Sequence, residues 1–298
     1  MSLPRLFFTA LSIFSLLLVS LNCSQLRLKN TTKIPTNQLP LPVKNSDRPA
    51  LIHRANEFSK SIKTLKLKVS YKLTGGTIDT GEIKRWRESE GFILLRKPSN
   101  IRVIVQAFQV RVLDMVSDGE HFMIEIPPKN QFIKGLNNQV IPQRKELVYV
   151  RPQHIFEALA INPLDASHPS LISLEEDQQA RRKFYILSCH QWLPGRVLDL
   201  KRKIWFDRFD LNIVRQRAYS NGGKLETEIF YSDFREVNGQ MYPSLIRFSR
   251  PQEAYSLLIR AKTIQINTNL EDNAFVLNKS PHAEEIDLTK NLKSKTLG

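Results

Sequence analysis

Alternation of apolar and charged residues governs most of this chain. Leu65, Leu67, Val69, Tyr71 and Leu73 alternate with Lys66, Lys68, Ser70 and Lys72, the period expected of a strand with one buried and one wetted face. Further strands are predicted over residues 81–87, 91–96, 101–106, 110–116, 121–126 and 131–134. Between them stand Lys97-Pro98, Ala107-Phe108-Gln109, Asp118-Gly119 and Pro127-Pro128, connections short enough to predict antiparallel hairpins. A second run is predicted over residues 184–189, 198–206, 213–219, 225–231, 242–249 and 255–266, with Asn221-Gly222 and Asn238-Gly239 supplying the positive φ of tight turns. Two stretches change period. Asp47 with Pro49 opens a helix whose Leu51, Ile52, Ala55, Phe58, Ile62 and Leu65 recur at helical spacing; residues 152–160 repeat the pattern with Ile155, Phe156 and Leu159, ending at Asn162-Pro163. Residues 165–182, with Glu175-Glu176-Asp177, read as loop or solvated helix. The pattern predicts one β-rich domain over residues 49–278 and a polar, Lys-rich flexible tail over residues 279–298.

The amino terminus sets the compartment. Arg5 precedes an apolar run over residues 6–21, the length of a signal-peptide core and short of the ~20 residues of a membrane span. Residues 1–22 therefore read as an export signal. The run ends at Ser20-Leu21-Asn22-Cys23, which resembles a bacterial lipobox with Cys23 as the acylated residue. Asn22 and Ser20 depart from the usual small residue and Leu at those places, and an ordinary signal peptide cut nearby or an uncleaved anchor are the alternatives. Residues 23–48, rich in Asn, Pro, Thr and Lys, read as a lipid-anchored tether. Ser24 resembles the outer-membrane class of the enterobacterial sorting pattern.

Charge then gains a meaning. Lys and Arg number 44 against 29 Asp and Glu, a formal net charge of +15. In an exported protein this favours anionic lipid or another envelope polyanion over nucleic acid; a merely solvated basic surface is the plain alternative.

Chemistry is sparse by comparison. Two cysteines in 298 residues exclude a disulfide framework and a CxxC-type zinc site. There is no Gly-x-Ser-x-Gly elbow, phosphate-cradling Gly-rich loop or His-Glu-x-x-His helix. Cys189 and His190 are neighbours, but adjacent strand residues point to opposite faces, so Cys189 reads as structural. Asp207 and Asp210 read as turn formers. No catalytic residue, metal or cofactor is expected, and the chain is read as a binding protein rather than an enzyme; an envelope hydrolase with residues scattered along the chain is the third-ranked reading.

The order of elements, together with Gly91-Phe92-Ile93-Leu94-Leu95-Arg96-Lys97-Pro98 and Val116-Ser117-Asp118-Gly119-Glu120-His121-Phe122, resembles the LolA and LolB lipoprotein carriers. The later Lys203-Ile204-Trp205-Phe206-Asp207, Phe230-Tyr231-Ser232-Asp233-Phe234 and Met241-Tyr242-Pro243-Ser244 fit the same likeness. The resemblance implies an α+β, mainly β fold, a curved antiparallel sheet forming an incomplete β-barrel covered by helices. It implies a non-enzymatic carrier that holds acyl chains or lipidated protein cargo in its hollow. Such a protein would be a monomer, anchored by an N-terminal lipid at the outer membrane and facing the periplasm. On that reading the wall comprises Leu67, Val69, Tyr71, Phe92, Leu94, Val103, Val105, Phe122, Ile124, Ile204 and Phe206, under a lid of Phe58, Ile62, Ile155 and Phe156; ordinary core packing is the alternative for each. The family's Arg before the strand-ending Pro falls at Lys97, beside Arg96, and Lys brings a point charge in place of a planar fork. The protruding apolar residue of LolB-type members falls at Phe108, a membrane-contact loop. An envelope structural or sensory protein of the same fold, using its basic surface on an anionic partner, is the alternative function.

Overall fold

The computed structural model describes residues 42–76, 81–138, 150–179 and 182–289. The export signal, Cys23 and residues 23–41 of the tether lie outside them. No helix among the described residues is long and apolar enough to cross a membrane.

The helix expected from Asp47 forms as α1 (Arg48–Ser61): the Asp47 carboxylate accepts from the Ala50 amide at 2.8 Å, and Pro49 occupies the first turn, where its missing N–H costs nothing. The second, α2, spans Pro152–Ala160. The strands are β1 (Thr64–Gly75), the short β2 (Lys84–Arg85), β3 (Ser89–Arg96), β4 (Asn100–Ala107), β5 (Val110–Ser117), β6 (His121–Ile126) and β7 (Gln131–Leu136) before α2. After it come β8 (Ile172–Gln179), β9 (Arg182–Leu193), β10 (Val197–Asp207), β11 (Ile213–Ser220), β12 (Lys224–Val237), β13 (Gln240–Arg250), β14 (Tyr255–Ile266) and β15 (Glu284–Asp287).

All belong to one curved sheet, open rather than closed into a barrel, in the order β15-β7-β6-β5-β4-β3-β1-β14-β13-β12-β11-β10-β9-β8, with β2 beside β1. Two antiparallel meanders thus meet where β1 pairs with β14, Leu65 opposite Ile266. The chain crosses from one edge of the sheet to the other through α2, and only β15 pairs in parallel, with β7.

Register places both apolar residues of each of these pairs on the same inner face. Leu67 opposes Ile93, Val103 opposes Met115, Ile124 opposes Ile133, Ile246 opposes Ile259 and Ile204 opposes Leu187. These side chains form one buried cluster with Leu51, Ile52 and Ala55 of α1 and Ile155, Phe156 and Leu159 of α2. Burying this continuous face is the main driving force for the fold. Tyrosines satisfy the end of α2, where helix carbonyls lack partners: Tyr231 donates to the Ala158 carbonyl at 2.8 Å and Tyr242 to that of Leu159 at 3.3 Å.

Two expectations are corrected. Residues 172–179 are not loop or helix but β8, an edge strand whose sequence ISLEEDQQ lacks strand-forming bias and is held by its ladder to β9. The stretch expected to fray after residue 278 instead crosses the outer face and joins the sheet as edge strand β15, with Ile286 and Leu288 packed on the inner core. It buries Leu277 and Ala283 against Val116 and Phe132, and Lys134 holds both Glu285 and Asp287 of the β15 segment.

Candidate ligand cleft and apolar rim

The side chains nominated for a cavity wall fall into three groups. Leu67, Val69, Tyr71, Val103, Phe122, Ile124, Ile204 and Phe206, with Ile62, Ile155 and Phe156, are buried in the core between the sheet and both helices, and Val105 packs at its edge. Phe92 and Leu94 belong elsewhere. They oppose Lys68 and Lys66 of β1, and Ile104 and Arg102 of β4, so they stand on the outer face, while Ile93 and Leu95 point inward. The physical reason is that Gly91–Leu95 is an apolar run without alternation, so only pairing to the Lys-bearing face of β1 decides its phase. Phe58 lines an open space.

That space is a cleft of about 390 Å³ between α1, the β10–β11 turn and the β12–β13 hairpin. Phe58, Ile161, Ile213, Phe234, Met241 and Pro243 give it an apolar lining; His53, Arg54, Glu57, Asn212 and Gln240 add polar groups to it. Its walls are braced. The Arg54 Nε donates to the Leu211 carbonyl at 2.6 Å and its Nη2 to that of Asp210 at 3.2 Å, tying α1 to the turn. The Phe58 ring stacks on Tyr242 with centroids 6.3 Å apart. Asn238 and Gly239 adopt the positive φ that the Asn-Gly signal predicted, turning Met241 and Gln240 back toward α1. Size and lining suit a ligand with an apolar body and a polar end.

The basic pair at the end of β3 is engaged by the protein itself. Arg96 donates to the Leu270 carbonyl at 3.2 Å, reaches Asp272 at 2.7 Å and covers the Phe275 ring, pinning the C-terminal segment. Lys97 Nζ donates to the carbonyl and hydroxyl of Ser59 in the last turn of α1, at 2.5 and 3.0 Å, where a cation offsets the helix dipole. Burial pulls its pKa down to about 8. The bond from Lys97 to Pro98 is cis.

Phe108 occupies a two-residue turn between β4 and β5. Both Phe108 and Gln109 have positive φ, 49° and 66°, a conformation natural to Asn-Gly and unfavourable by roughly 1–2 kcal/mol per residue for others. The ring is 82% exposed, beside exposed Val110, and Arg87 lies over it at 5.0 Å. A strained tip that displays an aromatic ring to solvent is an unusual use of stability.

Other chemistry-bearing residues find structural partners. Cys189 packs against the core, with burial raising its thiol pKa, while His190 faces the other way and bonds to the Leu171 carbonyl at 3.2 Å. Asp207 and Asp210 accept from the amides of Phe209 and Asn212, at 2.9 and 2.8 Å, as turn residues do. No group of three or more His, Cys, Asp or Glu side chains among the described residues is arranged to hold a metal.

One arrangement has no counterpart in the linear reading. Across the outer face, Trp205, Arg215, Phe230 and Arg247 stand directly opposite one another on β10 to β13. The Arg215 guanidinium lies 4.7 Å from the Trp205 ring and 4.9 Å from that of Phe230, held at 2.5 Å by Glu228. Only cross-strand register creates this row, so local spacing carries no signal of it.

No protein-family model matches the chain, and no curated protein matches it. Among solved structures, a DUF1329-family protein from Desulfovibrio piger is 13% identical over 76% of this chain and 94% of its own, at a TM-score of 0.50. A LolA-superfamily protein from Nitrosomonas europaea is 12% identical over 78% of this chain and 99% of its own, at 0.47. With the first of these the chain shares a fold, an open curved antiparallel sheet that carries its helices on one face.

Proposed function

We propose that this is a non-enzymatic binding protein of the bacterial envelope, a carrier or acceptor of acyl chains or lipidated protein cargo, tethered by its N-terminal region and contacting membrane through Phe108. The observation that carries the reading is the cleft beside α1, lined by apolar Phe58, Phe234, Met241 and Pro243 together with polar side chains. The ligand thus enters beside the helix rather than through the middle of the sheet, where the nominated wall residues are packed. Each methylene buried there contributes ~0.8 kcal/mol, so a long chain needs few directed contacts. The local matches to the carrier family around Gly91–Pro98 and Val116–Phe122 agree with this use of the fold.

Displacement of a fluorescent long-chain fatty acid from the full chain tests it. Met241→Arg, at an exposed side chain of the lining, is expected to weaken binding about tenfold, the value of roughly two lost methylenes, with no fall in the denaturation midpoint. Absence of saturable binding in the unaltered chain, or equal affinity in the variant, overturns the reading. A second reading, a docking protein for an anionic partner, draws on the row of Trp205, Arg215, Phe230 and Arg247 across the outer face; retention of an acidic polymer that Arg247→Glu abolishes, with no fatty acid bound, would favour it.

A further inference from the structure

Antiparallel pairing puts several turns on one rim of the sheet. Gln106 at the end of β4 opposes Glu90 near the start of β3, Ser89 opposes Tyr71 toward the end of β1, and Gly75 opposes Tyr255 at the start of β14. Continuing, Ser249 opposes both Ser256 and Glu228, Ala218 opposes Arg202, and Val197 opposes Leu193. The β4–β5 turn with Phe108 and the β9–β10 turn Pro194-Gly195-Arg196 therefore stand on the same rim, in the two opposite wings of the sheet. The cleft beside α1 opens at the other rim, where the β10–β11 and β12–β13 turns lie.

The β9–β10 hairpin carries its own exposed apolar group. Trp192 is 61% exposed and directly opposite exposed Leu198, with exposed Val197 beside them. Arg196 at the tip, Lys224 at the start of β12 and Lys129 farther along make no ion pair among the described residues, whereas two of the rim carboxylates, Glu226 and Glu253, are held by Arg250. An exposed Trp at a hairpin tip flanked by unpaired cations has the chemistry of a bilayer interface, ring at headgroup depth and cations at phosphates.

We propose that this rim docks on an anionic phospholipid bilayer with the β9–β10 hairpin as a second foot: Trp192, Val197 and Leu198 enter the headgroup region, and Arg196 and Lys224 meet lipid phosphates. The proposal extends the membrane-contact role given above to Phe108 and rests on that envelope reading. Two feet on one rim fix an orientation that a single protruding residue does not, and they turn the cleft away from the bilayer.

Tryptophan quenching by dibrominated phosphatidylcholine, in vesicles with and without phosphatidylglycerol, tests this on the full chain, because the readout is local to each ring and independent of the N-terminal tether. Quenching is expected in the phosphatidylglycerol vesicles, to fall by half or more in Trp192→Phe, and to weaken severalfold in Arg196→Glu with Lys224→Glu. Quenching unchanged by Trp192→Phe, or equal in neutral vesicles, overturns the second foot. Phe108→Trp in the Trp192→Phe background separates the two claims. Quenching of that new ring while native Trp192 is silent leaves the Phe108 contact standing and rejects this one; silence of both rejects both.

Discussion

At the scale of single residues, the most informative groups are those whose surroundings overrule their ordinary behaviour. Gly91 allows the β3 backbone to sit against β4: a Cβ there would lie 1.8 Å from the Ile104 carbonyl oxygen, and the Tyr71 ring fills the space above. His154 of α2 is buried, with Nδ1 2.7 Å from the Tyr255 hydroxyl, and burial together with nearby Arg250 and Arg151 holds its pKa well below the usual value. The consequence has a sign. In the unfolded chain this imidazole titrates near about 6.5; as pH falls through that value the unfolded state takes a proton that the folded state refuses, so stability declines toward acid. His154→Phe is expected to flatten the change in urea midpoint between pH 7.5 and 5.5, whatever it does to the midpoint at pH 7.5. An unchanged slope would place the acid sensitivity elsewhere. Neither residue advertises its role in the sequence, since a lone Gly in a strand and a lone His in a helix have many ordinary uses.

At the scale of elements, the hairpins separate what turn chemistry dictates from what function retains. Asn238-Gly239 adopts the conformation its side chains favour. Phe108-Gln109 adopts a similar conformation against preference, and the benefit to the fold is absent because the ring is in solvent. Phe108→Asn with Gln109→Gly is therefore expected to raise stability by roughly 1–2 kcal/mol while reducing vesicle contact at this tip. Equal or lower stability would show that the turn is relaxed as it stands. Most strands were legible from alternation to within a few residues. The exceptions have clear causes: β8 is acidic and polar, so its strand form comes from β9 alongside it, and the phase of β3 comes from β1.

At the scale of the whole molecule, the outer face is divided. On the β5–β7 wing the C-terminal segment covers Val116, Phe132 and Met123, and it also closes over a buried carboxylate. Asp114 is fully buried, bound by Arg102 through both oxygens at 2.9 and 2.8 Å and by Arg111 at 3.0 Å, while Arg102 also donates to the Ala274 carbonyl. Truncation after Leu270 is expected to cost about 3 kcal/mol or more, the value of uncovering two large apolar side chains, and to expose that ion pair to water. A urea midpoint unaffected by truncation would refute the segment's place in the core. On the β9–β13 wing the outer face carries its own small cluster, Trp205 buried with Phe184 and Ile186, which leaves Phe230 and Arg247 exposed beside it and Trp192 at the rim.

Local order, the helix start at Asp47, the strand-and-turn rhythm, the mainly β class and the absence of a disulfide framework all follow from residues near one another in the chain, because propensity, turn chemistry and alternation act over a few residues. Three things required the fold. Pairing of β1 with β14 joins residues about two hundred positions apart, and pairing of β1 with β3 sets which face Phe92 and Leu94 take. Packing of α1 and α2 against the inner face fills the middle of the sheet and moves the open cleft to its rim beside Phe58. Antiparallel register brings Phe108 and Trp192 to one edge. Each depends on contacts between distant segments, whose energies no local window contains.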